Sequence, residues 1–404
     1  MVADGPLAAP AGSAWTAQGM TPRISFTTDP ASLGPAWPHM ADRGEHRALP
    51  FQAADYLGTW MATIGASRGT RPLFARVDDE AGRPVLLAPL GIEKRYGLSV
   101  LGFLDGGVVD YNAPVLFERA AALGETDMRQ LWDAMRRALP SFDVALFEKM
   151  PPDILGWPNP FRFLATSASR ASGHALALSG DWDAYARTRL PRAQDSRRKR
   201  RRLAETGPVS FEVAASAADA QRFLEAMIGQ KTRRYLETRG IDGFDRPGYR
   251  AYFRTMTERF LPGGEVQLCA LVAGETIVAA HWGLVAGDRF YYLMPGHEAG
   301  NWGRYSPGRL IVENMIEWSY RQGLALFDFG EGDEPFKDEF ADTVVPLFGA
   351  ELAVTVVGQA YLGARKLRRG LARGAVGRRV RVFRSRRWRI GREPVQFSAS
   401  APEC

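Results

Sequence analysis

Apolar residues recur along this chain with two periods, and the places where the period changes divide it into two outlines of the same type. The first outline opens with the strand-like RISFT at 23–27. After a turn-rich segment from Asp29 to Pro50, FQAADYLGTWMATIGA reads as an amphipathic helix whose apolar residues include Phe51, Tyr56, Trp60 and Ile64. PLFARV and PVLLAPLGI, joined by DDEAGR, read as a hairpin. LSVLGFL and NAPVLF continue the strand pattern, with DGGVVDYN between them, before the helix GETDMRQLWDAMRRAL and the strand DVALFEKM.

The second outline follows Gly173. HALALS is a strand, and DWDAYARTRLPRAQDSRRKRRRLAETG is helical with a break at Pro191, after which VSFEVA is again a strand. Two more helical segments, AADAQRFLEAMIGQKTRRYLETRG and RPGYRAYFRTMTERFL, lead into EVQLCALV, TIVAAHWGLV and RFYYLMPG, a three-strand meander. Then comes YSPGRLIVENMIEWSYRQGLALFDFGEGDEPFK, from Tyr305 to Lys337. Here Ser306 suits the N-cap, Pro307 the first helical position and Gly323 the residue past the helix end. LALFDF reads as a buried strand and GEGDEPFK as the loop leaving it. The exposed N–H groups at that helix start, with Gly308 allowing close approach, make a phosphate seat, although an ordinary capped helix has the same local sequence.

Composition narrows the classes. The chain has 404 residues, 46% of them apolar, enough for two domains with sizeable cores. Cys269 and Cys404 are the only cysteines and the five histidines lack ligand spacing, so neither a disulfide framework nor a metal site is expected. Residues 1–22 lack the charged and apolar regions of a signal peptide, and no run of about 18 apolar residues occurs. These features predict a cytoplasmic protein. The net charge of +7 is uneven: thirteen Lys and Arg and no acidic residue fall between Arg365 and Arg392, leaving the remainder net acidic. RRKRRR at 197–202 alone would suggest nucleic acid, but on a helix it places charge all round, as on a solvated face.

A meander followed by a capped helix and one more strand is the core of a Gcn5-related N-acetyltransferase (GNAT) fold. The predicted fold class is therefore mixed α+β with tandem GNAT-like domains, each a mostly antiparallel sheet flanked by helices. The expected boundaries are a tail at 1–22, a degenerate domain at 23–170, an acyltransferase domain at 171–360 and a basic tail at 361–404. On DSRRKRRRLAETG, GETIVAAHWGLV, RFYYLMPG and the stretch from Tyr305 through DEF at 338–340, the chain resembles the CelD/BcsL-like acyltransferases. That family is a GNAT branch related in architecture to the FemAB/FemX peptidoglycan aminoacyltransferases. The resemblance is specific over about 174–350 and looser over 45–165. The usual GNAT phosphate loop is replaced by GNWGRYSPGRL, with Gly300, Gly303 and Gly308 in another spacing.

The resemblance implies an acyl-CoA donor, acetyl-CoA above all, seated by Tyr305, Ser306, Gly308, Arg309 and Leu310, with no metal. At the first half's equivalent helix start, LGETDMRQL puts Glu and Asp where an anion would sit, so that half is read as structural or acceptor-binding. The thioester would lie between the last meander strand and the strand after the helix. Asp328 and Glu331 are then candidate bases, His281 a candidate acid/base, and Tyr292 and Tyr305 candidates for protonating the thiolate, with Trp282 and Lys337 facing the acceptor. Structural readings stand beside each: a buried partner for Asp328, loop charge for Glu331, a core histidine for His281, packing for the aromatic residues and a surface cation for Lys337.

The function implied is acyl transfer to a hydroxyl or amine of an envelope or exopolysaccharide precursor, with residues 364–392 adsorbing to anionic membrane at the cytoplasmic face. Two alternatives remain at this stage: a FemAB-like transferase using aminoacyl-tRNA, and an inactive scaffold that binds glycan or a partner.

Overall fold

The structure is a computed structural model and describes residues 7–8, 22–29, 32, 34 and 36–373. The first half contains β1 (Arg23–Thr27), α1 (Ala54–Trp60), β2 (Arg71–Asp78), β3 (Pro84–Arg95), β4 (Leu98–Phe103), α2 (Glu125–Ala138) and β5 (Val144–Met150). The second half opens with β6 (Gly173–Ala177), the basic helix α3 (Ala193–Ala204), β7 (Val209–Val213), α4 (Ala217–Arg239) and α5 (Tyr249–Phe260). The meander β8 (Val266–Ala273), β9 (Thr276–Ala286) and β10 (Arg289–His297) follows. It continues through α6 (Pro307–Arg321), β11 (Leu326–Glu331), α7 (Pro335–Phe340) and β12 (Thr343–Val345). The described chain ends with β13 (Phe348–Ala353) and α8 (Val356–Arg373).

Each half builds an open mixed sheet in the same way. In the first, β1 to β4 form an antiparallel meander, the chain passes through α2, and β5 returns parallel to β4. In the second, β7 to β10 form the meander, α6 is the crossover, and β11 lies parallel to β10. The predicted tandem α+β architecture is present.

The sheets are closed by strands from outside these runs. β13, which follows the second half, hydrogen-bonds antiparallel to β5 in the first sheet, with Ala350 opposite Phe147. β6, which precedes the second half's meander, closes the second sheet against β11. Residues 348–353, grouped by sequence with 171–360, thus belong by hydrogen bonding to the first sheet. An apolar run announces a strand but not its partner, because pairing is settled by tertiary packing.

The halves share one core. Tyr56 on α1 meets Tyr252 on α5 with ring centroids 5.9 Å apart, and Phe51 meets Tyr291 on β10 at 5.5 Å, both edge-on. A second core lies between the other face of the second sheet and α6, where Ile311, Met315 and Ile316 pack on Phe290 and Phe327. α6 is therefore buried along most of its length, as a crossover helix must be. It ends where expected, at Gly323 with φ +70°.

α8 begins the segment read as a basic tail. Leu362 packs with Leu98, Val100, Val144 and Leu146, and Arg365 and Arg369 pair with Glu351. The helix continues through Gly370 to Arg373, and the rest of the segment expected to adsorb to membrane, within 374–404, lies outside the described residues. No helix among the described residues is long and apolar enough to cross a membrane.

Candidate active site

The site starts from a gap in the second sheet. β10 and β11 pair only through Arg289, Phe290 and Tyr291 with Leu326, Phe327 and Asp328, and beyond these residues the two strands part. Irregularities on both sides produce the opening. β10 shifts register against β9 between Tyr292 and Met294, and β11 shifts against β6 around Gly330, whose φ of +71° suits glycine.

One side of the opening is aromatic. Tyr292, Phe327, Phe329 and Phe336 make successive ring contacts, and His281 stacks on Tyr292 at 4.3 Å. His281 is fully buried, and neither ring nitrogen has a hydrogen-bond partner among the described residues. Burial, with a smaller contribution from Lys231, holds its pKa well below the ordinary histidine range. At neutral pH its ring is therefore uncharged, and it stands in the aromatic wall with Tyr292. Trp282, expected at the acceptor, lies on the opposite face in the shared core. Its Nε1–H donates to Thr257 at 3.0 Å and its ring meets Phe253 at 5.0 Å.

The other side is a network of charges joining the halves. The Asp328 carboxylate accepts from the Tyr111 hydroxyl at 2.7 Å, the Gly330 N–H at 2.8 Å and the Arg289 guanidinium at 3.3 Å. Burial raises its pKa against these partners. Glu331 pairs with Lys149 of the first half at 3.4 Å, and Lys149 pairs in turn with Asp105 at 3.1 Å. Despite burial, which acts to lower it, Asp105 and Glu331 hold the Lys149 ammonium above its usual range. Lys337 is buried: its ammonium donates to the Glu331 carbonyl at 2.8 Å and meets Glu334 at 2.9 Å. It fastens the strand end rather than forming a surface cation.

Asp110 completes this side. Its Oδ2 accepts the Glu331 N–H at 3.2 Å, and a side chain at Gly330 would occupy the space of its carboxylate. The loop 105–112 that delivers Asp110 and Tyr111 is tied down from both halves. The Tyr56 hydroxyl donates to the Val108 carbonyl at 2.9 Å, Trp60 to Asp105 at 3.1 Å and Tyr249 to Gly106 at 2.6 Å. Sequence reasoning treated DGGVVDYN as a connection and missed these groups. The available signal was two aspartates, a tyrosine and an asparagine around a glycine pair just past a strand.

The helix start lies at the far end of β10. Ser306 occupies the N-cap position but is left-handed (φ +50°) and does not cap its own backbone. Its Oγ accepts instead from Lys199 of α3 at 2.7 Å. The Leu310 N–H bonds the Ser306 carbonyl at 3.1 Å, so the N–H groups of Gly308 and Arg309 precede the intrahelical ladder. No acidic residue lies in this first turn.

Three residues expected at the seat, Arg309, Leu310 and Tyr305, have side chains committed elsewhere. The Arg309 guanidinium pairs internally with Glu313 at 3.0 Å and Glu339 at 2.8 Å and donates to the Pro191 carbonyl. Leu310 is a core residue, and Tyr305 is buried against the same core beside Trp302. The basic helix has one face fastened to α6, through Ser196 to Glu313 at 2.5 Å and Arg200 to Asn314 at 3.0 Å. Among the described residues, no group of three or more His, Cys, Asp or Glu is arranged to hold a metal.

Residues 191–338 match the family described as an acetyltransferase (GNAT) domain. The chain therefore carries a GNAT-type domain, and the match covers α3 through most of α7. No curated protein sequence matches the chain. Among solved structures, a conserved protein of unknown function from Bacteroides thetaiotaomicron is 14% identical with a TM-score of 0.49, covering 81% of this chain and 99% of that one. FemX is 10% identical with a TM-score of 0.49, covering 80% and 99%. A tandem GNAT protein from the clavulanic acid biosynthesis pathway is 12% identical with a TM-score of 0.38, covering 77% and 99%.

Proposed function

We propose that this chain, with its GNAT-type domain over 191–338, is an acyltransferase that uses an acyl-CoA donor, acetyl-CoA above all. The observation that carries this reading is that one continuous segment, 289–331, forms both lips of the opening and the helix start between them. β10 forms one lip of the opening, α6 begins with unladdered N–H groups beside Lys199, and β11 returns as the other lip. In this reading the pyrophosphate takes the helix start, with its partial positive charge and the Gly308 and Arg309 N–H groups, and the Lys199 ammonium, held by Ser306 and Asp195, lies at the same N-cap.

From that seat the pantetheine arm runs along β10 toward the gap. Past Tyr291 the ladder to β11 has stopped, leaving main-chain groups along β10 to pair with an extended amide chain. The aromatic wall excludes water from the thioester. The charged wall faces the acceptor and fixes its approach, so proximity and a dry, oriented environment supply much of the rate.

The acceptor reaches the gap from the side of the first half. There a pocket of about 270 Å³ is lined by Arg68, Glu93, Arg95, Asn112 and Lys149, and Lys149 bridges it to Glu331. Such a wall of paired donors and acceptors suits a hydroxyl-rich molecule. With the CelD/BcsL-like resemblance, this favours a sugar or amine of an envelope or exopolysaccharide precursor. The basic segment 364–392 would hold the enzyme at an anionic membrane surface.

The test is thiol release from acetyl-CoA by the full chain, with glucosamine as a probe bearing both amine and hydroxyls. Release above the rate without protein, saturating in acetyl-CoA, is expected. Tight binding of aminoacyl-tRNA that weakens steeply with salt, with no use of acetyl-CoA, would overturn the reading.

A further inference from the structure

We propose that Asp110, delivered by the first half, is the group that takes the proton from the acceptor as it attacks the thioester. This rests on the acyl-transfer reading above. The neighbouring carboxylates are already engaged. Both oxygens of Asp328 are bonded, by Tyr111 and Gly330 on one and Arg289 on the other. Glu331 is ion-paired with Lys149, and Glu334 with Lys337. Asp333 accepts the Ser172 N–H and is bonded to His174, and that Ser172 hydrogen bond is the leading cause that lowers its pKa and makes it a poor proton acceptor.

Asp110 differs from all of these. Oδ2 is steadied by the Glu331 N–H, while Oδ1 makes no hydrogen bond among the described residues. The carboxylate also stands at the gap itself, in the space Gly330 leaves beside the Tyr292 carbonyl. A glycine there serves two ends: it permits the left-handed turn of β11 and makes room for the base.

The charge environment suits the task. Burial pushes the Asp110 carboxyl up to about 7, Lys149 and Lys337 pull against it, and Asp328 and Glu331 add to the rise. Tyr56 and Tyr111 also interact with it electrostatically, and burial raises the pKa of both hydroxyls. A base poised near neutrality accepts a proton readily and can give it up again.

In the step, the acceptor's O–H or N–H proton passes to Asp110 as its lone pair attacks the carbonyl carbon. The new C–O or C–N bond forms, the C–S bond breaks, and the electron pair leaves on the CoA sulfur. The thiolate then takes up one proton, so that ester or amide and free CoA are the products.

The experiment is the pH profile of thiol release from acetyl-CoA, with glucosamine as probe acceptor, for the wild type, Asp110→Asn and Asp110→Glu. The wild-type rate is expected to rise with pH through a midpoint near 7. In D110N, whose amide oxygen can still accept the Glu331 N–H, the rate falls by about 10²–10⁴ and the midpoint disappears. D110E recovers part of the rate with a displaced midpoint. Acetyl-CoA affinity, measured on the same preparations by calorimetry, stays within threefold. A D110N rate within twofold of wild type, or an unchanged midpoint, overturns the proposal while leaving the acyltransferase reading intact. A wild type that neither binds nor cleaves acetyl-CoA overturns both.

Discussion

The two halves share a backbone plan and differ in the groups placed on it. In each, the crossover returns to a parallel pair only two or three residues long, and the sheet then opens. In each, the closing strand shifts register at the same place: Phe348 and Ala350 face Met150 and Phe147 in the first, Gly173 and Ala175 face Glu331 and Asp328 in the second. By this register Phe147 corresponds to Asp328, and Lys149 to Gly330. Both members of the second pair are left-handed, at φ +57° and +71°.

The substitutions at this shared geometry separate the roles. Where the second half has glycine and admits a carboxylate, the first has a lysine whose ammonium reaches across to Glu331. The helix starts differ in the same sense. α6 begins with no acid in its first turn, whereas α2 begins with Glu125 and Asp127, and Asp127 takes the Gly124 N–H at 2.9 Å. The acid-free start suits an anion and the acidic one does not, and this difference is what the proposed division into a donor half and an acceptor half rests on.

The sharpest way to break this comparison is to exchange the paired positions. Gly330→Val should lower acyl transfer by at least about 10³-fold, because the side chain meets Asp110 and a β-branched residue resists positive φ. Lys149→Gly relieves a left-handed residue but removes the ammonium's contacts to Glu331, Asp105 and the Val109 carbonyl while leaving the Asp110 carboxylate in place, so a smaller fall of about tenfold is expected. Equal losses in the two variants would remove the distinction between the halves.

A second effect concerns stability and pH. The folded-state pKa of Asp110 is raised, so the folded state holds its proton more firmly than the unfolded chain does. This contribution is fully present below about pH 4 and is lost as pH rises through about 7. Urea unfolding should show wild-type stability falling over that window relative to Asp110→Asn, by roughly 2–4 kcal/mol. Parallel curves would show that the carboxyl is not desolvated.

Tyr111→Phe probes the join between the halves. It leaves one buried Asp328 oxygen with a single donor, at a cost of about 1–3 kcal/mol in unfolding. A change below about 0.3 kcal/mol would mean that this contact does not hold the halves together. Smaller again is Lys199→Ala, which should weaken acetyl-CoA binding about tenfold, a difference of about 1.4 kcal/mol. The corresponding change on the first half, Asp127→Asn, should leave donor affinity untouched.

The helices and strands of both halves were legible because their apolar periods are strong, and the cap residues marked where α6 begins and ends. Asp328, Glu331 and Lys337 stand out in the sequence because they crowd one strand end, and the structure places them together there. Their partners do not stand out, since Tyr111 and Asp328 are more than two hundred residues apart and no local pattern encodes such a contact. The same reason hid β13's place in the first sheet. Arg309 illustrates the opposite error: a cation beside a phosphate seat suggests a ligand contact, but Glu313 one turn along the same helix, with Glu339, takes up its charge. Ser306 looked like an ordinary cap, and only the approach of Lys199 showed that its hydroxyl faces a neighbouring helix.

In the proposed division of labour, one half binds the donor and the other does not. Calorimetry with acetyl-CoA on the full chain tests it most directly, with Gly308→Glu and the double change Glu125→Gln, Asp127→Asn measured beside the wild type and checked for unchanged circular dichroism. One site per chain is expected, lost in G308E and unaffected by the double change. Two sites per chain, or full affinity in a folded G308E, would contradict it.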